Sequence, residues 1–334
     1  MAYILGIDLG GTKVEAAVFD DERKILGRHR AKTEAWRTEE EVFERIAGVA
    51  AQAITNSQVE PHQIAALGMG TPGPLDPQTG YIIETANLPF KNFPLGPRLS
   101  ERFNCPFAMA NDVDAGTYGE YKVGAAQGAS IVLGVFVGTG IGGGIIMHNE
   151  IYGGFNKNAA EIGHVVIRAE GPPDKRGVPG TLEYYTSRTG ITRTLKEAIK
   201  KGKKSKISKK VDKKTGAISS GSIRECYDAG DALVKKVVDR AAKYLGLAIG
   251  GYVNVMSPEI IVMGGGVVEA MGDPFVKRIE KYAHKVAFSF SMNGVKIVKA
   301  QLGDDAGITG AAMLAKELLS KQPAQEVPFA GHAG

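Results

Sequence analysis

Two short stretches of this chain carry residue types suited to holding phosphate. The first, Asp8-Leu-Gly-Gly-Thr-Lys13, offers two glycines, a hydroxyl, an ammonium and a carboxylate. A phosphate needs several backbone N–H groups converging on it, and residues without Cβ let the main chain approach that closely. A carboxylate such as Asp8 can hold Mg²⁺, usually through water. The second stretch, Gly138-Thr-Gly-Ile-Gly-Gly-Gly144, repeats the glycines and the hydroxyl without the lysine or the carboxylate. The alternative for the first stretch is an ordinary glycine hairpin with a surface lysine. The pattern GxGxxG also occurs twice, at Gly68, Gly70 and Gly73 and at Gly138, Gly140 and Gly143. A dinucleotide fingerprint requires a helix to open inside the motif. The first copy runs into Pro72 and Pro74 and the second into an apolar run, so neither qualifies. No Gly-Lys-Ser/Thr closes either glycine stretch, which excludes a Walker-type P-loop.

The elements around these stretches follow from hydrophobic periodicity. Tyr3 to Leu9 and Val14 to Phe19 read as strands of a hairpin about the first glycine turn. Thr38 and Glu41 form a capping-box pair ahead of Val42, Phe43, Ile46, Val49, Ala50 and Ile54, which recur at helical spacing. Further strands are expected over Ile64 to Gly70 and Phe107 to Ala110, with a helix starting at Asp112. Ile131 to Val137 leads into the second glycine stretch and a returning strand to Met147, echoing the opening hairpin. A long amphipathic helix from about Asp231 to Val255 precedes the strand Ile260 to Met263, the triplet Gly264-Gly265-Gly266 and a helix after Asp273. The last helix spans about Ala306 to Leu319.

Together these pieces resemble the ROK family of sugar kinases over nearly the whole chain. The family's first phosphate loop reads DxGGTK, like Asp8 to Lys13, and its second reads GTGIGGG, like Gly138 to Gly144. Gly264 to Gly266 is similar to the adenosine loop, and Leu302 to Ile308 to the lead into the last helix. Gly70 to Asp76 resembles the sugar-side PG loop, followed by Asn87-Leu-Pro89. Asn111-Asp112 matches the ND pair, Glu161-Ile-Gly-His164 the EIGH element, and Glu183 the glutamate of the CLE element.

The resemblance implies an α/β fold of two ribonuclease-H-like, actin-like ATPase domains with a cleft between them. Residues 1–118 would form the first domain, joined by the C-terminal helix 306–320. Residues 119–305 would form the second, with a lysine-rich insertion at 196–214, and 321–334 a flexible tail. It also implies a hexose kinase that moves the γ-phosphate of ATP to the 6-hydroxyl of glucose, with Asp112 as general base. The implied sugar-side residues are Gly73, Asn87, Asn111, Asp112, Glu161, His164 and Glu183. The implied ATP side comprises Asp8, Gly10, Gly11, Thr12, Lys13, Thr139, Gly140, Gly142, Gly264, Gly265 and Gly266, with Asp8 organising Mg²⁺. Carboxylates, an amide and an imidazole give a hexose directional pairing that an apolar pocket lacks. For Asp112 the competing role is a helix N-cap, and for His164 a satisfied core histidine. Many relatives hold a structural zinc between the EIGH histidine and three cysteines. Here the cysteine positions carry Asp174, Arg176 and Thr181, and arginine cannot ligate zinc, so no structural zinc is expected.

Composition narrows the remaining classes. The net charge of +5 is local, because Lys196 to Lys214 holds ten lysines against Glu197 and Asp212. That run has no arginine and no aromatic, which argues against a nucleic-acid reader and for a solvated insertion tip outside the ATP site. It also keeps polyphosphate open as a donor. Fructose or an N-acetylhexosamine are alternative acceptors. A sugar-responsive regulator is the rival from another class, but no helix-turn-helix fits before Asp8 and no recognition-helix pattern follows Leu319. Cys105 and Cys226 form no metal-ligand set and read as buried free thiols. With no signal peptide and no membrane-length apolar run, the expectation is a cytoplasmic enzyme, and the resemblance adds a homodimer.

Overall fold

The computed structural model describes residues 2–85 and 87–321. Contacts divide the chain into two compact units, one reaching to Ala110 and resuming at Ala311, the other running from Asn111 to Gly310. Each is an α/β unit built on a five-stranded sheet.

In the first unit, β1 (Tyr3–Leu9) and β2 (Lys13–Phe19) form the antiparallel hairpin anticipated from their alternation. The sheet order is β3-β2-β1-β4-β8, with β3 at Ile25–Lys32, β4 at Ile64–Thr71 and β8 at Phe107–Asn111. A small second sheet holds β5 (Leu75–Asp76), β6 (Tyr81–Glu84) and β7 (Lys91–Phe93). Helix α1 (Glu39–Ser57) opens with the capping box: Thr38 Oγ1 accepts from the Glu41 N–H, and the Glu41 carboxylate accepts from the Thr38 N–H. Its stripe of Val42, Phe43, Ile46, Ala50 and Ile54 is buried against Leu5, Ile7, Val14 and Val18. Helix α2 is Leu95–Phe103. The sequence pattern does not announce β3, an edge strand whose Arg28, Arg30 and Lys32 alternate along one face. Cationic edges of this kind discourage pairing with other chains and hide the strand from hydrophobic periodicity.

The second unit repeats the plan. β9 (Ile131–Val137) and β10 (Ile141–Met147) pair antiparallel, while β12 (Ile260–Gly264) runs parallel to β9 and to β13 (Lys296–Lys299), with β11 (Glu150–Ile151) at the other edge. Its helices are α3 (Asp112–Val123), α4 (Leu182–Thr186), α5 (Arg188–Lys200), α6 (Ser220–Asp228), α7 (Ala232–Met256), α8 (Gly266–Met271), α9 (Asp273–Ala283) and α10 (Ser289–Met292). The core joins Val234, Val238, Leu245 and Ile249 of α7 to Leu133, Val135, Ile261 and Met263 of the sheet. The last helix, α11 (Ala306–Lys321), is divided between the units after Gly310.

The contacts add detail to three expectations. The division falls at Ala110 rather than 118, because α3 packs on β9 and β10: Thr117 Oγ1 fills the space above Gly134 and Gly144. The C-terminal helix is shared, with only Ala311 onward belonging to the first unit. The lysine-rich segment, expected as a solvated insertion tip, keeps its lysines exposed but is anchored to the core. Lys196 and Lys200 belong to α5, Ile207 is fully buried in the core, and the Lys206 N–H and Ser205 Oγ donate to Asp231, the N-cap of α7. The expected tail, apart from Lys321, lies outside the described residues. Cys105 and Cys226 are buried free thiols, and burial pushes the Cys105 thiol up to about 11. No helix among the described residues is long and apolar enough to cross a membrane.

Candidate active site

In the first unit the glycine loop closes the β1–β2 hairpin. The Gly10 N–H donates to the Lys13 carbonyl at 2.8 Å, the Thr33 hydroxyl to the Gly10 carbonyl at 2.6 Å, and the Thr33 N–H to the Thr12 carbonyl at 3.0 Å. The loop's carbonyls are thereby tied back toward the end of β3, an arrangement that favours presenting N–H groups outward. Asp8 stands across from Glu15 in β2 and Gly70 in β4. Lys13 lies 3.7 Å from the buried Glu15 carboxylate, which also receives Arg30 at 2.6 Å. Asn87, assigned to the sugar side, packs directly on Gly11: a Cβ there would lie 3.1 Å from Asn87 Cβ. Gly73 precedes Pro74 through a cis peptide bond.

The second unit assembles most of the remaining residues around β10. Asn111 is the N-cap of α3, its side chain accepting from the Val113 N–H at 3.0 Å. The cap of this turn is therefore Asn111, and Asp112 is the first helical residue, with Oδ1 accepting from the same N–H at 2.9 Å. Burial pushes the Asp112 carboxyl above its ordinary value and the nearby Glu161 adds to the rise, against the opposing pull of the Val113 and Asp112 N–H groups. Asp114, two residues on, is pushed up to about 7 by burial first and then by Asp112 and Glu161.

The glycines of β10 also serve packing. A Cβ on Gly142 would lie 2.4 Å from Val113 Cγ2, and one on Gly143 would lie 2.5 Å from the Ala160 carbonyl oxygen and 2.8 Å from Ile162. Gly142 therefore makes room for the first turn of α3. Gly143 makes room for the single-turn segment Ile162–His164. The strand is rich in glycine because three neighbours come down onto it, bringing Asp112, Glu161 and His164 within one unit's local structure. Glu161 Oε2 lies 3.6 Å from His164 Nε2, while His164 Nδ1 is buried without a hydrogen-bond partner. Glu183, at the start of α4, accepts from the Ile141 N–H at 2.8 Å beside Gly140. It is thus bound to the glycine loop itself.

The segment that replaces the zinc cysteines closes with its own side chains. Asp174 Oδ1 accepts from the Arg176 and Val178 N–H groups at 2.9 and 3.0 Å, and Oδ2 pairs with the Arg176 guanidinium at 3.0 Å. Burial resists ionisation of Asp174, but these donors outweigh it and hold the carboxyl below its usual range. Among the described residues no group of three or more His, Cys, Asp or Glu side chains is placed to hold a metal ion. Mg²⁺ in a nucleotide site needs no such group, since it takes one or two carboxylates together with phosphate oxygens and water. Asp8 beside the first glycine loop fits that donor set.

Beside Thr139 lies a cavity of about 660 Å³, lined by Thr139, Arg188, Thr192, Lys196, Lys200 and Ile218 among others. The lysine run therefore does reach a glycine loop through Lys196 and Lys200. Gly264 lies against the Phe136 ring, and Gly265 adopts φ +83° with a Cβ position 2.8 Å from the Val137 backbone, a site open only to glycine. Gly266 opens α8 near Ser220, whose hydroxyl is buried and unpartnered.

The ROK family profile matches residues 4–318. The chain belongs to the ROK family. This ROK chain is 33% identical over 316 residues to the glucokinase of Halalkalibacterium halodurans, covering 94% of this chain and 95% of that one. Among solved structures, it is similar to a ROK hexokinase from Thermus thermophilus, with a TM-score of 0.80 and 28% identity over 96% of this chain and 100% of that one. It is also similar to a ROK family glucokinase from Streptomyces griseus in complex with glucose and AMPPNP, with a TM-score of 0.79 and 28% identity over 95% of this chain and 100% of that one. Its units accordingly have the actin-like ATPase fold. The motifs of this ROK chain do not single out Arg188, Thr189 or Asp114. The first two follow the CLE element closely, and Asp114 lies two residues beyond the ND pair, so proximity to a motif was the available signal.

Proposed function

We propose that this ROK protein is an ATP-dependent hexokinase that phosphorylates glucose at its 6-hydroxyl. The observation that carries the reading is the convergence of Asp112, Glu161 and His164 on β10, next to the loop of Gly138 to Gly144. Asp112 is buried near another carboxylate and has its pKa raised, which suits a group that must take a proton near neutral pH. In this reading Asp112 accepts the proton of the attacking hydroxyl, while Glu161 and His164 bind the sugar's other hydroxyls. Asn111 holds the first turn of α3, and so Asp112, in place. Glu183 fixes the loop at Ile141 and presents the rest of its carboxylate to the acceptor side. The N–H groups about Gly11 to Lys13 and Thr139 to Gly140 meet the donor's phosphates, and Gly264 to Gly266 with Ser220 meet its nucleoside. Bound Mg²⁺, held through Asp8, would supply neutralisation of the phosphate oxygens. The similarity to a glucokinase solved with glucose and AMPPNP supports this donor and acceptor pair.

Polyphosphate as donor is a second reading, favoured by Lys196 and Lys200 in the cavity beside Thr139. One coupled assay separates these readings. ATP and Mg²⁺ with glucose should give turnover that exceeds that with fructose or N-acetylhexosamines, and polyphosphate should not replace ATP. No phosphorylation of any hexose would sink the kinase reading and leave a sugar-binding regulator. The expected homodimer belongs to the same proposal and is checked by light scattering of the purified chain.

A further inference from the structure

The cavity beside Thr139 is cationic. Its lining includes Arg188, Arg193, Lys196 and Lys200 against one carboxylate, Glu197. Two of these cations are already engaged. Arg193 stacks 3.3 Å over the Tyr184 ring and donates to the Tyr184 carbonyl, and Lys196 donates to the Gly216 carbonyl at 3.2 Å. Arg188 is placed differently. Its Nη2 donates to the Thr139 hydroxyl at 2.6 Å, and among the described residues no carboxylate pairs with it. Behind it the backbone is locked to the same loop: the Arg188 N–H donates to the Gly138 carbonyl at 2.9 Å, and Thr189 Oγ1 to the Thr139 carbonyl at 2.7 Å. The loop carbonyls, which would repel an anion, are thereby occupied on the α5 side. A guanidinium fork is left fixed at the loop's hydroxyl, next to open volume. Such a fork matches two oxygens of a phosphate group, and its charge-assisted bonds are about twice as strong as neutral ones.

We propose that Arg188 is a donor-binding residue whose guanidinium takes phosphate oxygens of the nucleotide while Thr139 holds its plane. The proposal rests on the kinase reading and adds a contact that neither the family's motifs nor the glycine loops supply. In this arrangement α5 gives the second phosphate loop the cation that Lys13 gives the first.

The test measures ADP binding by calorimetry, without sugar, for the wild-type chain and for Arg188→Gln, Arg188→Lys and Arg188→Ala. A charge-assisted hydrogen bond lost from the phosphate should weaken ADP by about ten- to a hundredfold in Arg188→Gln and Arg188→Ala. Arg188→Lys should fall between these and wild type. Added guanidinium ion should restore part of the ADP affinity of Arg188→Ala, which a purely structural role of α5 would not allow. In turnover, the KM for ATP should rise by a similar factor while the KM for glucose stays within about threefold. Arg176→Ala serves as a charge control and should bind ADP like wild type. If the wild-type chain binds ADP and the Gln and Ala variants bind it equally well, Arg188 is only a loop anchor and the proposal is overturned. If Arg176→Ala weakens ADP as much as Arg188→Ala, the effect is bulk charge and the proposal is also overturned. Failure of the kinase reading looks different, since then the wild-type chain itself binds no ADP.

Discussion

The two glycine loops look alike in sequence and are packed to different degrees. In the first unit, Gly10 and Gly11 make a tight turn in which the Gly10 N–H donates to the Lys13 carbonyl and the Gly10 and Thr12 carbonyls accept from Thr33. In the second, Gly142 and Gly143 lie inside the straight strand β10 and are covered by Val113, Ala160 and Ile162. Both loops use glycine for packing space, but the approach is looser in the first, where a Cβ on Gly11 would lie 3.1 Å from Asn87 Cβ, than in the second, where one on Gly142 would lie 2.4 Å from Val113 Cγ2. A glycine run can therefore be a docking bed for side chains, and here this bed is what gathers Asp112, Glu161 and His164. Of the glycines from Gly138 to Gly144, Gly138 alone has nothing within 4 Å of its Cβ position.

The largest effect should come from removing the group that the packing delivers. Asp112→Asn keeps the shape of the α3 turn but loses the proton acceptor, so kcat should fall at least about a hundredfold while glucose binding persists. Turnover within about threefold of wild type would reject the role. Because the Asp112 carboxyl is raised, the acid limb of kcat/KM should lie above the ordinary carboxylate range, as a pH–rate profile would reveal.

Filling the bed should come next in size. Gly142→Val forces a branched side chain into Val113, and overpacking of this kind costs about 1–3 kcal/mol. The first turn of α3 should shift, lowering kcat as well as the melting temperature. Gly138→Ala should leave the melting temperature unchanged and act, if at all, on the KM for ATP. Equal melting temperatures for the two variants would erase the distinction between packing glycines and open ones.

Asp114 offers a pH test of the same turn. Between its ordinary value and about 7, the folded chain keeps a proton that the unfolded chain has released, so folding stability falls as pH rises through that window. Asp114→Asn should therefore raise the melting temperature at pH 8 and change little at pH 4. A stabilisation that is the same at both pH values would mean that the carboxyl is not perturbed in this way.

The smallest effects should come from regions remote from both loops. Arg176→Ala removes an exposed partner of Asp174 and should cost about 0–1 kcal/mol in chemical denaturation. Elemental analysis of untagged protein should find far less than one zinc per chain, and stoichiometric zinc resistant to dialysis would overturn the account of that segment. Replacing Lys203, Lys204, Lys209, Lys213 and Lys214 by Gln should leave kcat/KM for ATP unchanged. A collapse of activity would extend the donor site beyond Lys196 and Lys200 and narrow the contrast between the loops.

Local rules made much of this molecule legible from its residues alone. The β1–β2 hairpin, the Thr38–Glu41 capping box, α7 and β12 follow from periodicity and capping, which depend on neighbours a few positions apart. The motifs Asp8 to Lys13, Asn111-Asp112 and Glu161 to His164 marked the family and most of the candidate site residues. β3 stayed hidden, because its Arg28, Arg30 and Lys32 obey the rules of an edge strand rather than of a core. The true extent of the lysine run stayed hidden as well, because Ile207 is one apolar residue among cations and only its burial distinguishes it. Which residue caps α3, what covers Gly142 and where Arg188 rests are matters of which side chains meet from distant positions. Residue order was enough to mark a ROK chain with two glycine loops and their acidic companions. How those loops differ emerged only from the folded chain, since the physical meaning of a missing Cβ is set by whatever occupies the space it leaves.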